Sequence, residues 1–300
     1  MKTISLSVVL PIYNEEKALA KATNKLHKAL KHKLIANYEL ILINDGSTDN
    51  SAKILKKVKR QSKKVKVLTH KLNSGYGSSL KTGIKSAKYK YIAIIDADGT
   101  YPANAIPELV KKLKYNDMVV GDRNQKGAQI PFIRIIPKLI ILLFARLVSG
   151  AKIKDLNSGL RVFSKDLAMR YWHLYPAGFS FTSTITMAAH LENYRVSYLP
   201  IKYYKRLGQS SIKPYHFFYF LGLIARLMVY FKPMKFFFYP GIICSIVGFL
   251  WILITAIIYQ NITDAGTVLF SLGFQITIFG LIADLIVKNR EHYGRQIKQK

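Results

Sequence analysis

Two aspartates with one alanine between them close a stretch at Tyr91–Pro102, which reads Y-I-A-I-I-D-A-D-G-T-Y-P. The isoleucine- and tyrosine-rich residues ahead of them have the composition of a buried strand. On extended backbone, side chains at i and i+2 leave on the same side, so Asp96 and Asp98 are expected to face a common point just past the strand end. That point suits a hard divalent cation such as Mg2+, which prefers carboxylate oxygens and keeps positions open for the phosphates of a diphosphate. The competing reading is an acidic turn after a strand, helped by Gly99 and Pro102. The neighbouring elements decide between the two.

Ser5–Pro11 reads as a strand that ends in P-I-Y-N-E-E, and an amphipathic helix is expected from about Glu15 to His32. Tyr38–Asn44 repeats the pattern, running into N-D-G-S-T-D, where Ser47 or Thr48 would cap a helix over Asn50–Ser62. A third strand, Val65–His70, leads into N-S-G-Y-G-S-S and a helix over Ser78–Ala87, and the acidic pair is followed by a helix at about Ala103–Leu113. Strict β-α alternation predicts an α/β fold with a mostly parallel, Rossmann-like sheet covered by helices. Ligands of such sheets sit at the carboxyl ends of the strands, so the four post-strand motifs must converge on one edge. Glu15, Asp45, Asp96 and Asp98 on one rim repel each other unless a cation or positive groups offset them, and a structural protein gains nothing from that arrangement. Asn73–Gly77 lacks the spacing of both common phosphate-binding glycine loops and is read as a turn with a helix start.

Among 300 residues, 46 basic and 16 acidic side chains give a net charge of +30, which calls for an anionic partner. Nucleic acid, anionic lipid and a phosphorylated substrate all qualify by charge. Most lysines between Lys17 and Lys90 fall at helix-surface positions, whereas the C-terminal ones flank apolar segments. A nucleic-acid module would leave the carboxylate rim unexplained, so no nucleic acid is expected as partner. The single cysteine, Cys244, excludes an internal disulfide framework, and the scattered histidines have no zinc-like spacing. Met1–Pro11 has neither the apolar length nor the cleavage site of a signal peptide.

P-I-Y-N-E-E, N-D-G-S-T-D, G-Y-G-S-S-L-K-T-G and D-A-D, in this order, resemble the nucleotide-sugar half of glycosyltransferase family 2, which has the GT-A fold. M-V-V-G-D-R at Met118–Arg123, D-L-N-S-G-L-R-V-F at Asp155–Phe163 and R-L-G-Q-S-S-I-K at Arg206–Lys213 narrow the resemblance to the polyprenyl-phosphate hexosyltransferases. This group contains dolichol-phosphate mannose synthase and the undecaprenyl-phosphate glucosyltransferases. The resemblance implies that Pro11, Tyr13, Glu15 and Asp45 line a nucleoside pocket, and that Asp96 and Asp98 hold Mg2+ or Mn2+ and the diphosphate with Ala97 backbone against the nucleotide. It implies that Arg123 faces the sugar and phosphates, that Arg134 or Lys138 receives the acceptor phosphate, and that Arg206 and Lys213 close over the leaving diphosphate. Asp155 would orient the acceptor or Arg161, or bond local backbone as a turn residue; Arg161 is either its partner or structural. Thr100 stands where some mannose synthases have glutamine, which leaves metal coordination and donor identity open.

These residue types agree with the implied chemistry. A phosphate monoester, with a second pKa of about 6, is already a nucleophilic oxyanion at neutral pH and needs no strong base. The remaining work is to hold two anions together and stabilise a leaving diphosphate, a task for a metal ion and arginines.

Pro131–Gly150 is apolar but broken by Arg134, Lys138 and Arg146, and reads as an interfacial or core-facing amphipathic helix. Tyr215–Phe231 reads similarly. Phe236–Tyr259 carries no charge and is long enough to cross a bilayer; Gly266–Val287 is a second span, with Asp284 placed to pair with Lys288. The connecting loop lacks lysine and arginine, whereas Lys232 and Lys235 precede the pair and Lys288, Arg290, Arg295, Lys298 and Lys300 follow it. The positive-inside rule then puts the catalytic domain and both termini on the cytoplasmic side of the plasma membrane. The expected organisation is a GT-A domain over 1–214, an interfacial helix over 215–234, a two-helix transmembrane hairpin over 235–288 and a basic tail over 289–300. Such hairpins can pack together as a homo-oligomer. The expected function is transfer of a hexose from GDP-mannose or UDP-glucose to dolichyl or undecaprenyl phosphate in the lipid bilayer, with inversion. The alternative is a non-catalytic, membrane-tethered nucleotide- or lipid-binding module.

Overall fold

The computed structural model describes residues 3–124, 135–178, 180–204 and 216–299. The chain divides into two compact units, Met1–Phe220 and Leu221–Lys300. In the first, the strands are β1 (Ile4–Ile12), β2 (Ile35–Asp45), β3 (Val65–His70), β4 (Tyr91–Ile94), β5 (Met118–Asp122), β6 (Arg161–Ser164) and β7 (Val196–Pro200). The helices are α1 (Glu16–Leu30), α2 (Ser51–Gln61), α3 (Tyr76–Ser86), α4 (Ile106–Lys112), α5 (Ile135–Ser149), α6 (Lys165–Arg170) and α7 (Phe181–Leu191). α8 (His216–Phe231) runs across the division between the units, and α9 (Tyr239–Tyr259) and α10 (Asp264–Gln299) make up most of the second.

The described strands form one sheet in the order β3-β2-β1-β4-β6-β5-β7. Every neighbouring pair is parallel except those involving β6, which runs antiparallel to β4 and β5. The mostly parallel α/β architecture expected from the alternation is therefore present, with one reversed strand that alternation did not predict. β1 explains why helices must cover both faces. Leu6, Val8 and Leu10 join Leu19, Leu26 and Leu30 of α1 in one core cluster, while Val9, also fully buried, meets α3 at Gly83 on the other face.

Ser7 and Glu39 form a buried polar link at the far end of this sheet from the β4 acidic turn. Ser7 Oγ donates to Glu39 Oε1 (2.6 Å), which also accepts from the Lys88 amide (2.8 Å), and the Tyr89 amide donates back to Ser7 Oγ (3.1 Å). These bonds satisfy polar groups that burial would otherwise leave unpaired, and they set the entry of β4. α5 turns Leu142, Ala145 and Val148 inward and leaves Leu139, Leu143 and Leu147 exposed, so it is amphipathic as expected.

In the second unit a π-helical turn, Met234–Phe238, leads into α9, which pairs with α10. Glycines let the two backbones touch. A Cβ at Gly273 would lie 2.6 Å from Ser245 Oγ, and one at Gly248 would lie 2.8 Å from Phe270 Cα. The outward residues are apolar, with Ile257 78 % and Phe279 62 % exposed. Met234–Tyr259 and Asp264–Asn289 are each long and apolar enough to cross a membrane, with mean hydropathies of 2.6 and 1.9. Lys288 Nζ lies 2.8 Å from Asp284 Oδ2, the expected i,i+4 pair. α10 continues to Gln299, so the basic residues after Val287 extend the same helix instead of starting a separate tail.

Two outcomes follow from this packing. His190 of α7 is half-buried, stacks on Tyr198 and hydrogen-bonds its hydroxyl at 3.0 Å; burial pushes the imidazole down from 6.5 to about 4. Because the unfolded chain takes up this proton first, stability is expected to fall as pH drops from about 6.5 to about 4, by on the order of 1–2 kcal/mol. Melting curves of His190→Gln in detergent should lose that part of the pH slope; an unchanged slope refutes the assignment. Gly273→Leu should force the hairpin apart and lower the melting temperature, whereas Ile257→Leu on the outer face should leave it unchanged.

Candidate active site

The loops after β1 and β2 are tied to each other. Asn14, at φ 56°, accepts the Thr48 amide on Oδ1 (2.8 Å), and its own amide donates to Ser47 Oγ (3.2 Å). The Glu15 and Glu16 amides donate to Ser51 Oγ (3.1 Å) and Asp49 Oδ2 (3.0 Å). Ser47 and Thr48 therefore bridge to the first loop and do not cap α2; Asp49 Oδ1 accepts from the Ser51 amide instead (2.9 Å). Pro11 and Glu15 are half-buried on this rim, and the Tyr13 ring is 42 % exposed.

Asp45 ends β2 opposite His70 at the end of β3, in register. Its buried carboxylate accepts from His70 Nδ1 (2.7 Å) and from the Ser74 (3.0 Å) and Gly75 (2.8 Å) amides. His70 Nε2 in turn lies 2.9 Å from the Thr82 hydroxyl, so the ring bridges β3 to α3. The amides at the start of α3 are also taken, Gly77 by Gly178 O (3.1 Å) and Ser78 by Ala177 O (3.0 Å). Asn73–Gly77 is thus a turn with a helix start whose Ser74, Gly75 and Gly77 amides are used within the protein.

The chain leaves β4 at Ile94 and turns at Ala97–Asp98. The extended i, i+2 geometry expected for the two aspartates does not persist through them, and their carboxylates have different surroundings. Asp98, 5 % exposed, accepts the Thr100 amide (3.0 Å) and hydroxyl (2.6 Å) on Oδ1, closing an Asx-turn. Asp96 accepts the Tyr76 hydroxyl on Oδ1 at 2.8 Å. Burial first, and the Asp96 charge second, raise the Tyr76 hydroxyl well above its usual range, so it stays a neutral donor. Ala97 between them is buried, and Tyr204, beyond β7, donates its amide to Thr100 O (2.9 Å).

The reversed strand brings a second group to this edge. Because β6 pairs Arg161 with Ile94 of β4 and with Val120 of β5, the residues ahead of β6 lie beside those that follow β4 and β5. Asp155, 1 % exposed, takes Arg123 by Nε (2.8 Å), Nη2 (2.9 Å) and the backbone amide (3.2 Å). The Asn157 amide also reaches Asp155 Oδ1 (3.1 Å), so the local turn bond coexists with the ion pair. Arg123 lies 5.4 Å from the Tyr203 ring centroid. Arg161 is fully buried, donating to Thr182 O (2.8 Å), Thr186 Oγ1 (2.7 Å) and Ser158 O (3.1 Å from Nε); its role is structural.

Arg134, Arg206 and Lys213 lie outside the described residues, as does the side chain of Lys138 on α5. Among the described residues no group of three or more histidine, cysteine, aspartate or glutamate side chains converges on one point. A cation bound here would have Asp96 and Asp98 as anionic oxygen donors and would draw its remaining ligands from phosphates and water. That donor set fits Mg2+ or Mn2+. Tyr76, His70 and Gly159, which packs on Asp96, are given no site role in the sequence reading. The register of His70 with Asp45 was within its reach, whereas Tyr76 and Gly159 depend on the α3 start and on β6.

Known proteins share the sequence pattern and the fold. The sequence model described as Glycosyl transferase family 2 matches residues 7–172, and that described as GtrB C-terminal hairpin matches residues 232–288. A dolichyl-phosphate beta-glucosyltransferase of Dictyostelium discoideum is 32 % identical over 56 % of this chain and 56 % of its own length. A dolichol-phosphate mannosyltransferase of Pyrococcus furiosus is 28 % identical over 75 % of this chain and 64 % of its own. The chain spans about half the length of several curated relatives it matches. Glucosyl-3-phosphoglycerate synthase of Mycobacterium tuberculosis, solved with Mn2+, UDP and phosphoglyceric acid, shares the fold at a TM-score of 0.55 and 16 % identity, covering 75 % of this chain and 78 % of that one. With its family match covering more than half the sequence, over the strands and turns that build this sheet edge, the chain belongs to glycosyl transferase family 2.

Proposed function

We propose that this protein transfers a hexose from a nucleotide sugar, GDP-mannose or UDP-glucose, to a polyprenyl phosphate at the cytoplasmic face of the plasma membrane. The observation that carries the reading is the meeting of the Asp96–Asp98 turn and the Arg123–Asp155 pair at one sheet edge, in a chain whose C-terminal helices suit a bilayer. Relatives named as dolichyl-phosphate glucosyl- and mannosyltransferases support the substrate class.

In this reading Pro11, Tyr13 and Glu15 receive the nucleoside, with Asp45 holding the adjoining loop in place. Asp96 and Asp98 would hold Mg2+ or Mn2+, which would supply positive charge to stabilise the leaving diphosphate. Arg123, fixed by Asp155 through two guanidinium donors, turns others toward the sugar and phosphates. Arg206 and Lys213 close over the diphosphate, and Arg134 or Lys138 receives the acceptor phosphate. A phosphate oxygen of the lipid attacks the anomeric carbon as the bond to the nucleoside diphosphate breaks, and this single displacement inverts the centre. Asp155 is a positioning residue, since its buried carboxylate acts through Arg123. The α9–α10 hairpin keeps the enzyme in the bilayer that contains its acceptor. The loop between those helices lacks lysine and arginine, and the flanking cations favour cytoplasmic termini and a multi-pass topology. Packing of hairpins from several copies into a homo-oligomer belongs to the same reading.

Membranes holding the protein and polyprenyl phosphate should move label from radiolabelled UDP-glucose or GDP-mannose into the lipid fraction, and Asp98→Ala should reduce that transfer at least ~100-fold. If neither label enters lipid and Asp98→Ala changes nothing, a non-catalytic binding module replaces this reading. Asp155→Asn and Arg123→Lys should each lower kcat/KM by about 10- to 100-fold, because neither preserves a bidentate, fully charged pair. Wild-type kinetics in both variants would remove Arg123 from the mechanism.

A further inference from the structure

Resting on the assignment of Asp96 to the metal–diphosphate site, we infer that Tyr76 and Gly159 are positioning residues that together hold the Asp96 carboxylate and so set the site's affinity for a divalent cation with a nucleoside diphosphate. Tyr76 belongs to the glycine-rich turn, and its hydroxyl donates to Asp96 Oδ1 at 2.8 Å. Its aim is fixed from behind. The Gly77 and Ser78 amides are bonded to Gly178 O and Ala177 O, and Cβ atoms at Gly75 and Gly77 would each come within 2.7 Å of a carbonyl oxygen in Ala177–Gly178. The first turn of α3 therefore cannot shift without breaking two backbone bonds.

Gly159 is the second contact of the same carboxylate. A Cβ there would lie 2.6 Å from Asp96 Cγ and 2.7 Å from Oδ1, so the carboxylate packs close against bare backbone. Gly159 is in turn held by its amide, which donates to the Tyr101 hydroxyl at 2.7 Å. Asp96 thus presents to a ligand whatever direction Tyr76 and Gly159 leave it. An outer partner of this kind typically changes metal affinity 10- to 100-fold when removed, without touching the metal or the substrate.

The test uses the full-length protein in detergent, with Mn2+ titrated in the presence of UDP or GDP and free Mn2+ read by electron paramagnetic resonance. Tyr76→Phe should retain the wild-type melting temperature and weaken Mn2+ binding about 10-fold with whichever nucleotide supports it. Raising Mn2+ should restore its kcat for transfer to within about threefold of wild type. Gly159→Ala should weaken Mn2+ in the same way, by forcing the carboxylate aside. Wild-type Mn2+ affinity in Tyr76→Phe, or a kcat loss that added Mn2+ does not restore, overturns the inference while leaving the transferase reading intact. If the wild-type protein binds no Mn2+ with either nucleotide, the metal-site assignment fails and the inference fails with it.

Discussion

A fully buried guanidinium holds one edge of this sheet together. Arg161 opens β6, the one antiparallel strand in the described sheet, and donates to carbonyls of the preceding turn and to Thr182 and Thr186 of α7. An unpaired charge there would cost several kcal/mol, so the turn and the helix must stay where their oxygens satisfy it. Burial lowers the affinity of this group for its proton, but an arginine remains charged in any case, which makes the constraint independent of ordinary pH. From that anchor the residues ahead of β6 acquire their places: Asp155 against Arg123, and Gly159 against Asp96.

The acidic groups of the rim are each held by partners within the protein. Asp45 is satisfied by a histidine and two amides, Asp96 accepts a tyrosine hydroxyl, Asp98 bonds its own turn through Thr100, and Asp155 carries an arginine. Each charge has a distinct local partner, so mutual repulsion is divided among separate hydrogen bonds. The neutral donors at Asp96 and Asp98 leave the negative charge in place, which is what attraction of a cation requires. At Asp155 the charge is offset by the Arg123 guanidinium it holds.

Local signals carried much of this into the sequence. The first four strands and their helices were legible because each apolar run ends in turn residues and an amphipathic segment follows, and the hairpin was legible because an uncharged stretch of its length has few alternatives. The i,i+4 spacing of Asp284 and Lys288 placed that pair without any tertiary knowledge. What escaped depends on contacts distant in the chain. β6 is four residues long, and nothing in R-V-F-S states its direction, yet its reversal is what joins Asp155 to Arg123 across 32 positions. The acidic pair was recognised by composition but its geometry was not, because Thr100 draws Asp98 into a turn that an ideal strand would not make. Ser47 and Thr48 were expected to cap α2 by type; Asn14 competes for them from a loop more than thirty residues away.

α10 runs unbroken for 36 residues, and at about 1.5 Å per residue it extends roughly 54 Å, against a hydrocarbon thickness of ~30 Å. The surplus is polar and basic, so lipid cannot absorb it. In a bilayer the apolar part of such a helix would match the hydrocarbon thickness, and the remaining length of helix would extend past it. Membranes that differ in thickness or in anionic lipid content would hold this chain at different heights, which gives the host's lipid composition a direct mechanical say in where the anchor rests.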